Sequence, residues 1–292
     1  MSGQKLKLGI PKGSLQEATI RLFEKSGWRI KEHHRNYFPE IDDEELVCSM
    51  CRAQEMSRYV ESGVLDCGLT GKDWILENES QVVVAADLIY SKVSSRPARW
   101  VLAVAGDAPY KRPEDLAGKR IATELVNFTK TYFAQAGVPV SVEFSWGATE
   151  AKVVEGLADA IVEVTETGTT IKAHGLRIIA EVLVTNTQFI VNQAAWDDPW
   201  KRKKIENMVM LLQGALRAEK MVGLKMNVPS SAKDKVLAEL PSLNSPTVAY
   251  LLNSDWLSVE IVVAESVVRD LIPKLREAGA EGIIEYALNK VV

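Results

Sequence analysis

The sequence predicts an α/β protein built from two similar lobes, with a small βαββαβ unit after them. Three observations carry this. A short apolar strand followed by an amphipathic helix occurs twice, each copy later has a helix that ends at glycine and leads through an aspartate into a buried strand, and beyond residue 219 the order of apolar runs changes.

In chain order, Lys7-Leu-Gly-Ile10 is the first short strand. Pro11-Lys-Gly-Ser14 turns it into a helix with Leu15, Ala18, Leu22 and Phe23 on one face. The second copy is the strand Lys119-Arg-Ile-Ala-Thr123 and a helix through Tyr132 and Phe133. The later parts are Val60-Glu-Ser-Gly63 running through Asp66, and Val154-Glu-Gly156 running through Asp159 to Ala160-Ile-Val162. The glycines suit helix C-caps, and they fall in register with the aspartates. Two such copies imply parallel sheets, whose ligands bind beyond the carboxyl ends of the strands. Lys12, Lys72 and a threonine loop near residue 168 are therefore expected around one cleft.

The polar stretch Lys111-Arg-Pro-Glu-Asp-Leu-Ala-Gly118, closing on a buried strand, resembles the passage into the second lobe of type II periplasmic-binding-protein folds. Residues 177–184 and 187–191 read as strands crossing back, so lobe I is expected at 1–95 and 180–215 and lobe II at 96–179. A long helix begins near Asp198-Pro199, with the acid as N-cap and Ile205, Met208, Val209, Leu212 and Leu216 as its apolar stripe. Its Lys201-Arg-Lys-Lys204 run is read as a solvated face and is assigned no ligand. Then follow a strand at 221–228, a helix at 231–240, strands at 247–252 and 257–264, a helix at 266–278 and a strand at 282–287. That order is a ferredoxin-like (ACT-like) domain, assigned to 216–292. Without an acid/base cluster of its own, it suggests regulation or assembly.

Composition narrows the partners. The chain has 292 residues, is 47% apolar and 25% charged, and carries a formal charge of -4. A net acidic chain has no general electrostatic grip on nucleic acid or an anionic membrane, so a bound anion must be met by local cations. No stretch approaches the ~20 apolar residues that span a bilayer, and the expected location is the cytoplasm. Three cysteines suit a reducing compartment. Cys48 and Cys51 have C-x2-C spacing, but no second pair follows and His33/His34 do not complete a zinc pattern.

Residues 156–176 are the most informative segment. The strand Ala160-Ile-Val162 stops at Glu163 and Glu166, and Thr167-Gly168-Thr169-Thr170 turns into the next apolar run. Backbone N–H groups of such a turn, with the hydroxyls of Thr165, Thr167, Thr169 and Thr170, can converge on one phosphate. The acids would repel a bare phosphate but accept hydrogen bonds from ribose hydroxyls, so the segment asks for a phosphorylated sugar.

With these parts assembled, the chain from about Leu6 onward resembles the ATP phosphoribosyltransferase family in its long form with a C-terminal regulatory domain. The resemblance rests on the segment from Ala158 to Leu176, on Pro11-Lys-Gly-Ser-Leu15, Arg52-Ala-Gln-Glu-Met56, Gly63-Val-Leu-Asp-Cys-Gly-Leu-Thr-Gly-Lys-Asp73 and Arg120-Ile-Ala-Thr-Glu124. The chain departs from the family pattern at Met50, where relatives carry arginine, at Leu125-Val126, where they carry an aromatic residue and proline, and at Glu163, where they carry aspartate.

The resemblance implies transfer of the 5-phosphoribosyl group of phosphoribosyl pyrophosphate to N1 of the adenine of ATP, with release of pyrophosphate, as the first step of histidine biosynthesis. It implies Mg2+ held mainly through substrate, histidine as inhibitor, and association as dimers and hexamers. On this reading the 5'-phosphate sits on Thr167, Gly168, Thr169 and Thr170 with Thr165 nearby, and Glu163 and Glu166 take the ribose hydroxyls. Lys12, Arg52, Lys72 and Arg99 meet the pyrophosphate and triphosphate, Asp73 and Glu150 orient these cations or contact the adenine amino group, and Asn227, Thr247 and Gly282 hold histidine. Arg35 matches a further family arginine. A solute-binding or ligand-sensing protein of the same two-lobed fold, and a phosphoribosyltransferase for another base, stay open at this point.

Overall fold

A computed structural model describes residues 4–32, 36–90, 97–241 and 245–292; His33, His34 and Arg35 lie outside the described residues. The chain divides into two compact units, residues up to Glu24 with Trp28–Val209, and Lys25–Gly27 with Met210–Val292.

The first unit contains two five-stranded sheets of one design. In one the order is Leu46–Arg52, Leu6–Lys12, Cys67–Gly71, Thr187–Val191, Val83–Leu88. In the other it is Ser141–Phe144, Arg120–Thr123, Ala160–Thr165, Ala98–Ala105, Leu176–Thr185. The first three strands of each are parallel, and the fourth runs antiparallel to both neighbours. The two-lobed type II arrangement expected from the repeat is thus present. Central strands such as Leu6–Lys12 are buried on both faces, which is why they read as unbroken apolar runs. Trp100, Leu102, Val104, Ile121, Phe133 and Val162 form the core of the second lobe.

The repeat extends to individual hydrogen bonds. The Asp66 carboxylate accepts the Lys7 N–H at 2.8 Å, while the Asp66 N–H donates to the Lys7 carbonyl at 3.0 Å. Asp159 makes the same two bonds with Arg120, both at 2.9 Å. The preceding helices, Ala53–Glu61 and Thr149–Val154, are followed by Gly63 and Gly156 at φ 75° and 68°. Each aspartate thereby fixes the register between its own strand and the parallel neighbour, at the end of the sheet opposite the ligand side.

One expected boundary shifts. Leu176–Thr185 does not return to lobe I: it pairs antiparallel with Ala98–Ala105 in the second sheet, and Thr185 is the register partner of Ala98. Only Thr187–Val191 joins the first sheet, between Cys67–Gly71 and Val83–Leu88. An apolar run announces a strand but not its sheet, and here the antiparallel partner decides it. The second lobe therefore extends to Thr185, past the expected limit at 179.

The helix Pro199–Ala218 begins as expected, with the Asp198 carboxylate accepting the N–H groups of Trp200 and Lys201 at 2.9 Å each. Its lysines are not simply solvated. Lys201 pairs with Asp66 at 2.7 Å, and Lys204 pairs with Asp43 and Glu45 at 2.7 Å each. Burial alone would push the Asp43 carboxyl up, but Lys204 and the Trp28 indole N–H hold it below its usual range.

In the second unit, Met221–Pro229, Lys233–Glu239, Thr247–Tyr250, Trp256–Ala264, Glu265–Glu277 and Glu281–Ala287 follow the βαββαβ order. The sheet order is Thr247–Tyr250, Trp256–Ala264, Met221–Pro229, Glu281–Ala287, antiparallel throughout, which is the ferredoxin-like topology. Leu224, Met226, Val228 and Val259 from the sheet pack with Val236 and Leu275 from the helices.

Candidate active site

The strand ends of the two lobes carry opposite chemistry. In the first sheet Lys12 and Arg52 are register partners that end adjacent parallel strands, and Lys72 opens the helix after Cys67–Gly71. In the second sheet the corresponding ends lead to Glu124 and to Thr165-Glu166. A cavity of about 360 Å3 lies between the lobes, with Lys12, Arg52, Asp73, Trp100, Glu124 and Glu166 in its wall. The Lys12 ammonium stands 4.0 Å from the centre of the Tyr37 ring, and the Arg52 guanidinium 5.5 Å from that of Trp146. These rings hold two flexible cations in place without neutralising them.

The opposite wall is acidic. Burial pushes the Glu163 carboxyl up to about 7, and the nearby charges of Glu150 and Glu124 add to this against a hydrogen bond from Thr149. Glu124 is likewise raised by burial, against a hydrogen bond from Gln54. Such carboxylates gain from hydroxyl donors, and the field they make favours positive charge at the reacting carbon.

The threonine turn has the expected shape. Gly168 sits at φ 77°, in the left-handed region, just before the short helix Thr169–Ala173. Its N–H donates to Thr165 Oγ1 at 2.8 Å, and the hydroxyls of Thr167 and Thr169 bond to each other at 2.8 Å. Thr167, Thr169 and Thr170 are exposed. The turn thus satisfies its own donors with hydroxyls that an anion would replace.

Of the residues proposed from sequence, Lys12, Arg52, Asp73 and Glu166 come together in the cavity wall. The charge of Glu150 is close enough to raise the Glu163 carboxyl, and Glu163 precedes Val164 in the wall of the cavity. Thr165, Thr167, Gly168, Thr169 and Thr170 flank it through the turn after Val164, which does line it. Lys72 donates its backbone N–H to the Asn186 carbonyl at 3.0 Å, and its charge lies near Asp87. Arg99 is placed differently: its guanidinium pairs with Glu181 at 3.3 Å and is outside the cavity wall.

Asp73 also has a different setting from the one its position suggested. It is buried, and its carboxylate accepts the Trp100 indole N–H at 2.7 Å and the Trp74 N–H at 3.1 Å. Its own N–H donates to Thr185 Oγ1 at 3.2 Å. Burial raises its pKa despite these bonds, and they join the two lobes where the chain crosses between them.

Glu124, Gln54 and Trp146 were not singled out from sequence for roles. Glu124 had a readable signal, since it follows the strand Arg120–Thr123 as Gly13 follows Leu6–Lys12. Trp146 had none, because nothing local announces that a loop aromatic faces an arginine of the other lobe. Of the family departures, Met50 is buried in the core and Leu125 is a buried helix N-cap without a side-chain cap. In the second unit Asn227 lies near Gly282, 3.6 Å from where a Cβ on Gly282 would stand. Thr247 is on the strand at the opposite edge of the sheet, so one chain does not gather all three.

Among the described residues no cluster of three or more His, Cys, Asp or Glu side chains is arranged to hold a metal. Burial pushes the thiols of Cys48 and Cys51 up to about 12, and three residues apart on the strand Leu46–Arg52 they point to opposite faces. Among those residues no helix is long and apolar enough to cross a membrane.

Residues 52–214 match the family model described as ATP phosphoribosyltransferase (HisG), and residues 218–290 match that of its C-terminal domain. The chain is 79% identical over 287 residues to an ATP phosphoribosyltransferase of Solidesulfovibrio magneticus, with 98% of each chain covered. It is 73% identical, again with 98% of each covered, to one of Nitratidesulfovibrio vulgaris. Among solved structures it is similar to the ATP phosphoribosyl transferase (HisG:HisZ) complex from Thermotoga maritima, at a TM-score of 0.62 and 32% identity over 73% of this chain and 98% of that one. The motif-bearing strand ends, the two-lobed sheets and the C-terminal unit thus agree with the comparisons: the chain belongs to the ATP phosphoribosyltransferase family, in its long form.

Proposed function

We propose that the cleft transfers the 5-phosphoribosyl group of phosphoribosyl pyrophosphate to N1 of the adenine of ATP, releasing pyrophosphate, as the first step of histidine biosynthesis. The observation that carries this is the division of charge between the walls, with Lys12 and Arg52 on one lobe and Glu124, Glu163 and Glu166 on the other. Two polyanions need the first wall, and a ribose that becomes cationic at C1 needs the second.

Adenine N1 is unprotonated at neutral pH, so the reaction needs no strong base. Its barrier lies in bringing two polyanions into line while the C1–O bond to pyrophosphate breaks and the N1–C1 bond forms. Well-oriented reactants can supply ~7–11 kcal/mol of such a barrier. Lys12 serves as a point charge and Arg52 as a planar fork for the pyrophosphate and triphosphate. Lys72 follows the lining residue Gly71 on the same lobe and reaches phosphate only by leaving Asp87, while Arg99 does so only if its bond to Glu181 exchanges. Glu163 and Glu166 accept the ribose 2'- and 3'-hydroxyls, with Glu150 beside them. The turn from Thr167 to Thr170, with Thr165, takes the 5'-phosphate by exchanging its internal hydroxyl bonds for phosphate oxygens.

Among the described residues no three carboxylates are arranged to hold a metal, which suits a substrate-borne Mg2+ better than a protein cage. When bound, the ion would supply charge neutralisation of the departing pyrophosphate, and Glu124 and Glu166 are the wall carboxylates that would help to hold it. We extend the reading to histidine as inhibitor on Asn227 and Gly282, with Thr247 reaching that site only from another copy of the chain. Self-association suits the outer strand Thr247–Tyr250, whose Tyr250 is 79% exposed.

The test is pyrophosphate release with ATP, phosphoribosyl pyrophosphate and Mg2+, with adenine, nicotinate and orotate in place of ATP as controls. Release with ATP alone supports the reading. Release with another base, or ligand binding without turnover, overturns it.

A further inference from the structure

The six-residue helix Lys72–Glu77 belongs to the first lobe but is bonded to the second at both ends. At its start, Asp73 bonds Trp100 and Thr185 beside the crossovers. At its end, the two carboxylate oxygens of Glu77 accept the N–H groups of Asn127 and Phe128, each at 3.0 Å. These are the second and third residues of the second-lobe helix Val126–Gln135. A helix leaves its first N–H groups unpaired, and the N-cap residue usually serves one of them. Here the N-cap is Leu125, which makes no side-chain cap, so a carboxylate from the other lobe serves two. Asn127 Nδ2 adds a bond to the Glu77 carbonyl at 3.1 Å.

Glu77 is itself firmly held. The next residue, Asn78, donates from Nδ2 to the Gln54 carbonyl at 2.8 Å and to Ser57 Oγ at 2.9 Å, which fixes the helix end to the first lobe. The two ends of the helix therefore answer differently to a rotation of the lobes. The bonds of Asp73 lie where the chain crosses and would survive it. Those of Glu77 lie at the other end of the helix, beside a second cavity of about 520 Å3 that shares Arg52, Gln54, Trp74 and Glu124 with the first. Opening the cleft would part Glu77 from the helix it caps and also part Arg52 from Trp146.

We propose that Glu77 is a positioning residue for the transfer reaction: by capping the helix Val126–Gln135 from the opposite lobe, it holds the cleft at the closure in which the cationic and acidic walls face one another. This rests on the two-substrate reading above. Glu77 is outside the wall of the first cavity and acts through the angle between the lobes. Without it the closed form becomes a minor state of the free protein, and apparent affinity falls by the fraction lost. Bound substrates restore closure, so the saturated rate changes little.

The experiment compares the full chain with its Glu77→Ala, Glu77→Gln and Asn127→Ala variants. Glu77→Ala is expected to raise KM for both substrates about tenfold while kcat stays within about twofold, as for loss of the competent state. Glu77→Gln, which keeps one acceptor oxygen, should fall between it and the wild type, and Asn127→Ala should show a smaller rise. Hydrogen exchange of peptides spanning 124–132 should be faster in the free Glu77→Ala protein and return to the wild-type rate with both substrates. Faster exchange with unchanged KM would reduce Glu77 to a structural cap and overturn the proposal. So would a fall in kcat at constant KM, or exchange identical to wild type. If Glu77→Ala does not fold, Asn127→Ala decides by the same two readings. If the wild type shows no turnover, the functional reading fails, and exchange with and without each substrate still judges the clasp.

Discussion

Lys12 and Arg52 are register partners at the carboxyl ends of adjacent parallel strands, so two cations stand side by side on one wall of the cleft. Each is shaped by an aromatic ring, Tyr37 for Lys12 and Trp146 for Arg52. Charge-assisted hydrogen bonds to phosphate are worth ~1.5–3 kcal/mol each. Lys12→Met and Arg52→Met should each lower kcat/KM by about 10- to 100-fold on that scale. Steady-state kinetics should also find Arg52→Lys poorly rescued, since lysine supplies charge but neither the planar fork nor the stacking face.

The raised pKa of Glu163 makes a prediction about pH and stability. Its folded value of about 7 lies above the ordinary 4.5, so the folded protein favours the neutral acid. That contribution is fully present below pH 4.5 and is lost as pH rises through about 7. Glu163→Gln should therefore be more stable than wild type at pH 8 and close to it at pH 4.5. Thermal melts of both proteins across that range check it, and a difference independent of pH would contradict it. In binding the sign reverses: phosphoribosyl pyrophosphate affinity should rise with pH through about 7 as the carboxylate becomes a full acceptor, and Glu163→Gln should lack that rise.

Trp100 donates to the buried Asp73 carboxylate, and Trp74 packs edge-on against it with ring centres 6.3 Å apart. Trp100→Phe keeps most of the packing and removes the donor. Leaving a buried acceptor unpaired costs ~1–3 kcal/mol, to be read from urea unfolding. The double variant Trp100→Phe with Asp73→Asn should recover part of that loss, because the residual group is then neutral.

Asp66 and Asp159 occupy equivalent places in the two lobes, but Asp66 also pairs with Lys201. Asp159 pairs instead with the half-exposed Arg120, at 3.6 Å. Asp66→Asn should therefore destabilise more than Asp159→Asn, which keeps one acceptor for the Arg120 N–H. Unfolding free energies of the two variants, expected within about 1–3 kcal/mol of wild type, give the comparison.

Much of this architecture was legible because local chemistry repeats. The glycine-then-aspartate pattern at Gly63/Asp66 and Gly156/Asp159 marked equivalent strands, and Asp198-Pro199 marked a helix start. The turn around Gly168 was legible for the same reason: its left-handed residue and its hydroxyls are local properties. What escaped was decided by distant partners. Leu176–Thr185 was a clear strand, but its sheet depends on Ala98–Ala105. Asp73 read as a site carboxylate, yet Trp100 and Thr185, remote in sequence, make it a link between lobes. Arg99 read as a cation for the phosphates, and its pairing with Glu181, 82 residues away, is not visible locally.

The proposed function depends above all on the turn around Gly168 cradling an activated pentose phosphate. Gly168 is at φ 77°, and a Cβ there would lie 3.2 Å from Ile178 Cδ1, so a bulky residue must deform the turn. Calorimetric titration of phosphoribosyl pyrophosphate with Mg2+ into wild-type and Gly168→Trp protein, both checked for folding by their melts, tests this most directly. Wild type should bind saturably and the variant should lose at least about 100-fold in affinity, the scale of two charge-assisted hydrogen bonds. Equal affinity in the two folded proteins would contradict it.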